Sequence, residues 1–142
     1  MKKITPFLWY DKNLKEILEF YKSVFPNIKI TLNGTLSDTP SGDVETASME
    51  IFGQEFSLMT AGPLFKFNEA ISFVINCKDQ KEVDYYWDKL TSQGGSVGQC
   101  GWCKDKYGLS WQVVPEALGD LMSKADDDGR ARITQAFLKM EK

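Results

Sequence analysis

Apolar and polar positions follow two rhythms along this chain, period two and period three-to-four, and the pair of rhythms comes round twice. Residues 4–10 (ITPFLWY) are apolar almost throughout, which predicts a strand covered on both faces. Leu14, Ile17, Leu18, Tyr21 and Phe25 follow at helical spacing, with Asn13 placed to cap the helix and Pro26 to stop it. Residues 28–32 alternate and predict a second strand. Asn33 to Asp43 (NGTLSDTPSGD) is rich in turn formers and reads as a loop. Residues 45–52 and 55–60 predict a hairpin about Gly53-Gln54. The connecting residues 61–69 (AGPLFKFNE) carry Leu64, Phe65 and Phe67, apolar enough to predict a packed segment.

The second half repeats this order. Residues 70–77 read as a strand and Lys81 to Gln93 as a helix, with Val83, Tyr86, Trp87 and Leu90 inward and Gly94-Gly95 as its cap. Residues 96–104 and 109–114 read as strands about the turn Asp105 to Gly108, and Pro115 ends the sheet. A short helical piece, 116–124, precedes ADDDG and a terminal helix over 130–140 with Ile133, Phe137 and Met140 on one face. Residues 6–24 align with 72–90 without a gap. Phe7 meets Phe73, Lys12 meets Lys78, Lys15 meets Lys81, Glu16 meets Glu82, and the apolar positions match as well. Gly53 to Leu58 aligns with Gly108 to Val113 at a shift of 55 instead of 66. The repeat predicts an α+β fold in which paired βαβββ modules form a curved mixed sheet, helices outside and a concave cavity inside. The expected organisation is one domain, with module 1 about 1–62, module 2 about 68–115 and a C-terminal helical tail, 116–142.

Composition narrows the chemistry. The net charge of −3 comes with no basic stripe, which argues against nucleic acid. No apolar run approaches the ~20 residues of a membrane span, and the N-terminus lacks the pattern of a secretory signal, so a cytoplasmic protein is expected. Three cysteines do not make a disulfide framework. Histidine is absent, which removes the commonest general base and metal ligand together. Cys100 and Cys103 (CGWC) fall on an expected strand, where positions i and i+3 point to opposite faces, so they read as structural. Asp126 to Gly129 lacks the alternate spacing of a calcium loop and reads as a solvated turn with acids at a helix start.

Alternation along the last strand sends Leu109, Trp111 and Val113 towards the helices and Ser110, Gln112 and Val114 towards the concavity. By the repeat, Ser57, Ser72, Val74 and Asn76 face it too. Polar groups converging in a buried place must pair with one another or line a pocket. With Trp102, which can stack on a planar ligand, these residues form the expected ligand-binding pocket; Trp9 is expected in the core. Glu50 and Glu55 flank the first hairpin and are the carboxylates available as a general base.

Gly101 to Pro115 (GWCKDKYGLSWQVVP), with Pro6-Phe7-Leu8-Trp9, Phe65 to Phe73 (FKFNEAISF) and Val83-Asp84 followed by Trp87, resembles the PhnB-like branch of the vicinal-oxygen-chelate superfamily. That superfamily includes glyoxalase I, bleomycin-resistance proteins and extradiol dioxygenases. The resemblance covers nearly the whole chain and implies the paired βαβββ fold. It also implies metal-ligand positions near Pro6, Ser57, Ser72 and Gln112, where glyoxalase-type members carry His or Glu. Of these only Gln112 is a credible ligand here, and neutral oxygens hold divalent transition metals weakly. The expectation is a homodimer that binds a small organic ligand with no metal and no cofactor, residues 61–69 and the terminal helix supplying the dimer contact. The acidic balance suits a cationic ligand. The alternative is a lyase, isomerase or dioxygenase, using a weakly held metal at Gln112 or, without metal, Glu50 or Glu55. A third possibility is a structural dimer with a filled core. Sequences of this branch often carry a demethylubiquinone methyltransferase-like label, but no Gly-rich strand-to-helix turn of the nucleotide-binding kind is present.

Overall fold

Each half of the chain folds in the strand–helix–strand–strand–strand order of its repeat. The structure, a computed structural model, describes residues 2–140, apart from the side chain of Phe137. The chain divides into two units, Met1–Lys66 and Phe67–Lys142. The first contains β1 (Phe7–Tyr10), α1 (Leu14–Val24), β2 (Lys29–Thr39), β3 (Gly42–Ile51) and β4 (Gln54–Thr60). The second contains β5 (Ser72–Cys77), α2 (Gln80–Thr91), β6 (Ser96–Val97), β7 (Trp102–Lys104) and β8 (Ser110–Pro115), followed by α3 (Glu116–Lys124) and α4 (Asp127–Leu138). Each unit has one four-stranded sheet, ordered first, fourth, third, second, with its outer pair parallel and the rest antiparallel.

In the first unit Leu8, Tyr10, Ala47, Met49, Phe56 and Leu58 are buried together with Leu14, Ile17, Leu18, Tyr21 and Val24 of α1. Burying each large apolar side chain contributes roughly 1.5–3 kcal/mol. The Tyr10 and Tyr21 hydroxyls, 2.8 Å apart, satisfy each other inside this layer. β1 is covered on one face only, against the expectation of two: Phe7 is 59% exposed and Ile4 85%. The turn-rich stretch 33–43 is not a loop. It belongs to a long hairpin arm of β2 and β3, in which backbone pairing satisfies the peptide groups. Its turn formers are absorbed where the register shifts, Gly34 and Asp38 both lying at positive φ.

The gapless alignment is one residue out along the first strands. Buried Leu8 and Tyr10 correspond to buried Ile75 and Cys77, a spacing of 67, whereas Ile17 and Tyr21 correspond to Val83 and Trp87 at 66. The strand-to-helix connection has three residues in the first unit and two in the second, and a one-residue step turns a strand over. α2 is capped by Asp79, whose carboxylate accepts from the Glu82 amide at 2.8 Å. Asn13 sits at the matching place in a left-handed conformation and makes no side-chain cap. α2 ends at Thr91, with Ser92 as its C-cap instead of Gly94-Gly95.

Two further expectations change in the second unit. The strand expected over 96–104 is broken into β6 and β7 by a tight turn in which Cys100 and Gly101 both have positive φ. A Cβ at Gly101 would meet the Val113 carbonyl oxygen at 2.6 Å, so only glycine lets this turn rest on β8. The terminal helix starts earlier than expected, Asp126 capping it through the Gly129 amide at 2.7 Å. Its end is tied back by the Cys100 amide, which donates to the Met140 carbonyl. Phe137, expected on its inward face, has its side chain outside the described residues.

The turn between β7 and β8 is built around Asp105, which is only 2% exposed. Its carboxylate accepts from the Tyr107 amide at 2.9 Å, the Leu109 amide at 3.2 Å and the Trp111 indole N–H at 3.0 Å. Asp105→Ala is expected to destabilise the protein by roughly 3 kcal/mol or more, because buried donors lose their acceptor. Asp105→Asn keeps one acceptor oxygen and is expected to cost less. Urea unfolding monitored by tryptophan fluorescence checks both.

Candidate functional site

The second sheet has a helix side and an open side, and strand alternation sorts its residues between them. Phe73, Ile75, Trp111 and Val113 turn to the side that α2 covers. On the open side Ser72, Ser110, Lys104 and Ser96 lie in register across all four strands, and Val74, Gln112 and Trp102 form the next row. Six of the seven expected pocket residues are thus on one face. Asn76 and Val74 are exposed towards one end of it. Ser57 belongs to the other unit.

A cavity of about 200 Å³ opens beside this face. Trp102, Ser110, Lys104, Val97 and Gly98 line it, with Glu69 from the segment before β5. Ser110 was legible as a candidate from alternation and Trp102 as an aromatic that can stack on a planar ligand; Lys104 and Glu69 were not. The parity of Lys104 with Trp102 in the same short strand was the available signal. Gly98 is required by close approach: a Cβ there would meet the Trp102 carbonyl oxygen at 2.9 Å.

The polar groups fall into three states. The Gln112 amide donates to the Ser72 hydroxyl at 2.9 Å, so these two are hydrogen-bonded to each other. The Lys104 ammonium is hydrogen-bonded and ion-paired to the Glu69 carboxylate. That hydrogen bond, helped by a backbone one, holds the Glu69 carboxyl below its ordinary 4.5. The Ser110 hydroxyl is buried at 1% exposure and has no hydrogen-bond partner among the described residues.

In the first unit Ser57 lines a separate cavity of about 290 Å³ with Thr5, Ser48 and Glu55. Glu50 faces Glu55 in register and pairs with Lys29 at 3.5 Å. Trp9 is not in the helix-side core. It is half-buried on the opposite face, its indole donating to the Gly62 carbonyl at 2.8 Å and its ring edge-on to Phe65 at 4.9 Å. Residues 61–69 pack less than expected, since Leu64 and Phe65 are exposed.

The four positions where the resemblance implies metal ligands do not fit a divalent metal. Pro6 offers only a carbonyl, which accepts from the Ser57 amide. Ser57 and Ser72 offer neutral hydroxyls, and Gln112, whose N–H is donated to Ser72, offers a single neutral amide oxygen. Among the described residues no three His, Cys, Asp or Glu side chains gather so as to hold a metal ion. Nor is any helix among them long and apolar enough to cross a membrane.

The three cysteines are buried and form no disulfide among the described residues. Burial, reinforced by Asp105, pushes the Cys103 thiol up to about 12, and burial with the Glu82 carboxylate pushes Cys77 to about 11, from an ordinary 9.0. Below about pH 9 both thiols are protonated whether the chain is folded or not. Above it the unfolded chain loses its protons first, so stability falls as pH rises towards the folded values. For Cys103 the loss is expected to approach roughly 1 kcal/mol per pH unit between about pH 9 and 11. Urea midpoints measured across that range should flatten in Cys103→Ala.

The family described as 3-demethylubiquinone-9 3-methyltransferase matches the chain over residues 2–114. No curated protein sequence matches. Among solved structures, a PhnB protein from Bacillus cereus with the same family description is 28% identical, with a TM-score of 0.68 over 80% of this chain and 99% of its own. Protein PA1353 from Pseudomonas aeruginosa is 18% identical, with a TM-score of 0.66 over 82% and 98%. A point mutant of the fosfomycin resistance protein FosX from Listeria monocytogenes, complexed with Mn(II) and 1S,2S-dihydroxypropylphosphonic acid, is 16% identical, with a TM-score of 0.53 over 80% and 91%.

Proposed function

This chain belongs to the 3-demethylubiquinone-9 3-methyltransferase family, the PhnB-like branch of the vicinal-oxygen-chelate superfamily, and from that premise we propose that it binds a small organic ligand on the open face of its second sheet, without a tightly held metal. The observation that carries this reading is the Ser110 hydroxyl. A buried polar group with no partner is costly, on the order of 1–3 kcal/mol, and the residue that carries this one lines a cavity. A ligand atom that completes its hydrogen bonding removes that cost. Trp102 supplies a flat apolar wall for the body of the ligand. The Ser72–Gln112 pair bridges this row and the next, so the polar groups of this face both pair and line a pocket.

The ligand is small. About 200 Å³ lies below the ~300–1,000 Å³ of pockets for drug-sized molecules. Methyl transfer from a nucleotide-bearing donor is not part of the proposal, because the turns between β1 and α1 and between β5 and α2 contain no glycine. The metal-free reading rests on the donor chemistry at Ser57, Ser72 and Gln112. The Mn(II) of the FosX complex is a property of that protein. Buried cysteine thiols suit a reducing cytoplasm.

Thermal-shift screening of small organic compounds, without added metal, is expected to find stabilising ligands, with Trp102→Ala weakening the best of them by about tenfold or more. Metal analysis after dialysis and soaking in Zn, Ni, Mn and Fe(II) is expected to find less than one ion per chain. Stoichiometric metal that disappears in Gln112→Ala sinks the metal-free reading. We also propose a homodimer, supported by the exposure of Leu64 and Phe65. Sedimentation should report a dimer that Leu64→Ser with Phe65→Ser weakens.

A further inference from the structure

Resting on that reading of the second-sheet cavity, we infer that its ligand is a compact organic anion, a carboxylate or other oxyanion on a flat apolar body, which takes the place of the Glu69 carboxylate on Lys104. The two charged side chains that line the cavity are not equivalent. Lys104 is a strand residue, in register with Ser110 on one side and Ser96 on the other, so its backbone is fixed by the sheet. Glu69 lies in a turn outside the strands, and its side chain is 63% exposed against 37% for Lys104. The sheet therefore holds the cation in place, while the anion is carried on the more movable segment.

An ion pair this open to water is weakly held. A competing carboxylate can displace Glu69 at little cost, and Lys104 keeps a charge-assisted hydrogen bond throughout. The gain from the exchange comes from what Glu69 leaves unmet. The Ser110 hydroxyl, in the row of Lys104, has no partner while Glu69 occupies the ammonium. An oxyanion offers an acceptor to its O–H, and an apolar body beyond the anion covers Trp102. The chain is acidic overall, at −3, yet the fixed charge at this cavity is positive. The local cation sets the class of ligand, because net charge acts on approach and the pocket on contact.

The test is a titration of the isotopically labelled protein at neutral pH with benzoate, phenylphosphonate, benzyl alcohol and benzylamine, read on the amide signals of Gly98, Trp102 and Ser110. Benzoate, phenylphosphonate or both are expected to shift these signals to saturation, and benzylamine is not. Lys104→Met is expected to weaken anion binding by about tenfold. Glu69→Gln, which removes the competing carboxylate, is expected to tighten it by roughly threefold. A structural role for the pair would not predict these opposite signs. If benzyl alcohol binds as well as benzoate and Lys104→Met changes neither, the anion inference is overturned and the cavity reading stands. If none of the four compounds moves the three signals, both fall. A carboxylate that binds where phenylphosphonate does not supports the inference and assigns planar over tetrahedral geometry.

Discussion

One buried carboxylate organises the second unit. Asp105 accepts two backbone amides and the Trp111 indole in a turn that joins β7 to β8. A charge out of water is tolerated only when its lone pairs are met, and here the donors come from the turn and from the strand that follows it. The consequence is positional. With the turn held, the residues immediately before it and those after Leu109 enter the sheet with defined parity. Lys104 and Ser110 then meet across the strands.

That parity separates the chemistry of the two faces. Trp111 and Val113 go to the helix side with Phe73 and Ile75, and Ser110 and Gln112 go to the open side. The open side does not leave its polar groups uniformly free. Gln112 and Ser72 are hydrogen-bonded to each other, whereas Ser110, one step along the sheet, has a buried oxygen without a partner among the described residues. The contrast between neighbours of similar chemistry makes the face a candidate site instead of a filled core. The first unit has the same two-faced sheet, but Glu55 stands where the repeat has Ser110 in the second, at the spacing of 55. Two similar frames thus present different chemistry.

Much of the fold was legible because hydrophobic periodicity reports burial directly. Ile17 and Tyr21, with Val83 and Trp87, mark helix faces that the structure buries. Positions set by pairing were less legible. The residues Asn33 to Asp43 carry loop chemistry, yet they form a hairpin arm, because strand pairing with β3 satisfies their backbone and bulges absorb the turn formers. The strand expected through 96–104 is broken at Cys100 and Gly101, where the turn rests closely on a neighbouring strand and the Val113 amide donates to the Gly101 carbonyl. The pocket candidates show the same division. Ser110 follows from alternation and Trp102 from its aromatic chemistry, but the pairing of Lys104 with Glu69, 35 residues earlier, leaves no periodic trace.

By itself the sequence determined the element order, the repeat, the helix faces and the alternation along β8, because each depends on side chains close together in the chain. It also determined what chemistry is missing, since a chain without histidine cannot supply it in any fold. Only the tertiary structure decided which polar groups are satisfied. Ser72, Ser110 and Gln112 are equivalent in the pattern and differ in the fold, because hydrogen-bond satisfaction depends on neighbours brought together from distant parts of the chain. The same holds for Asp105. Its place in a turn could be read locally, but its role as the acceptor for Trp111 required the strand to return beside it.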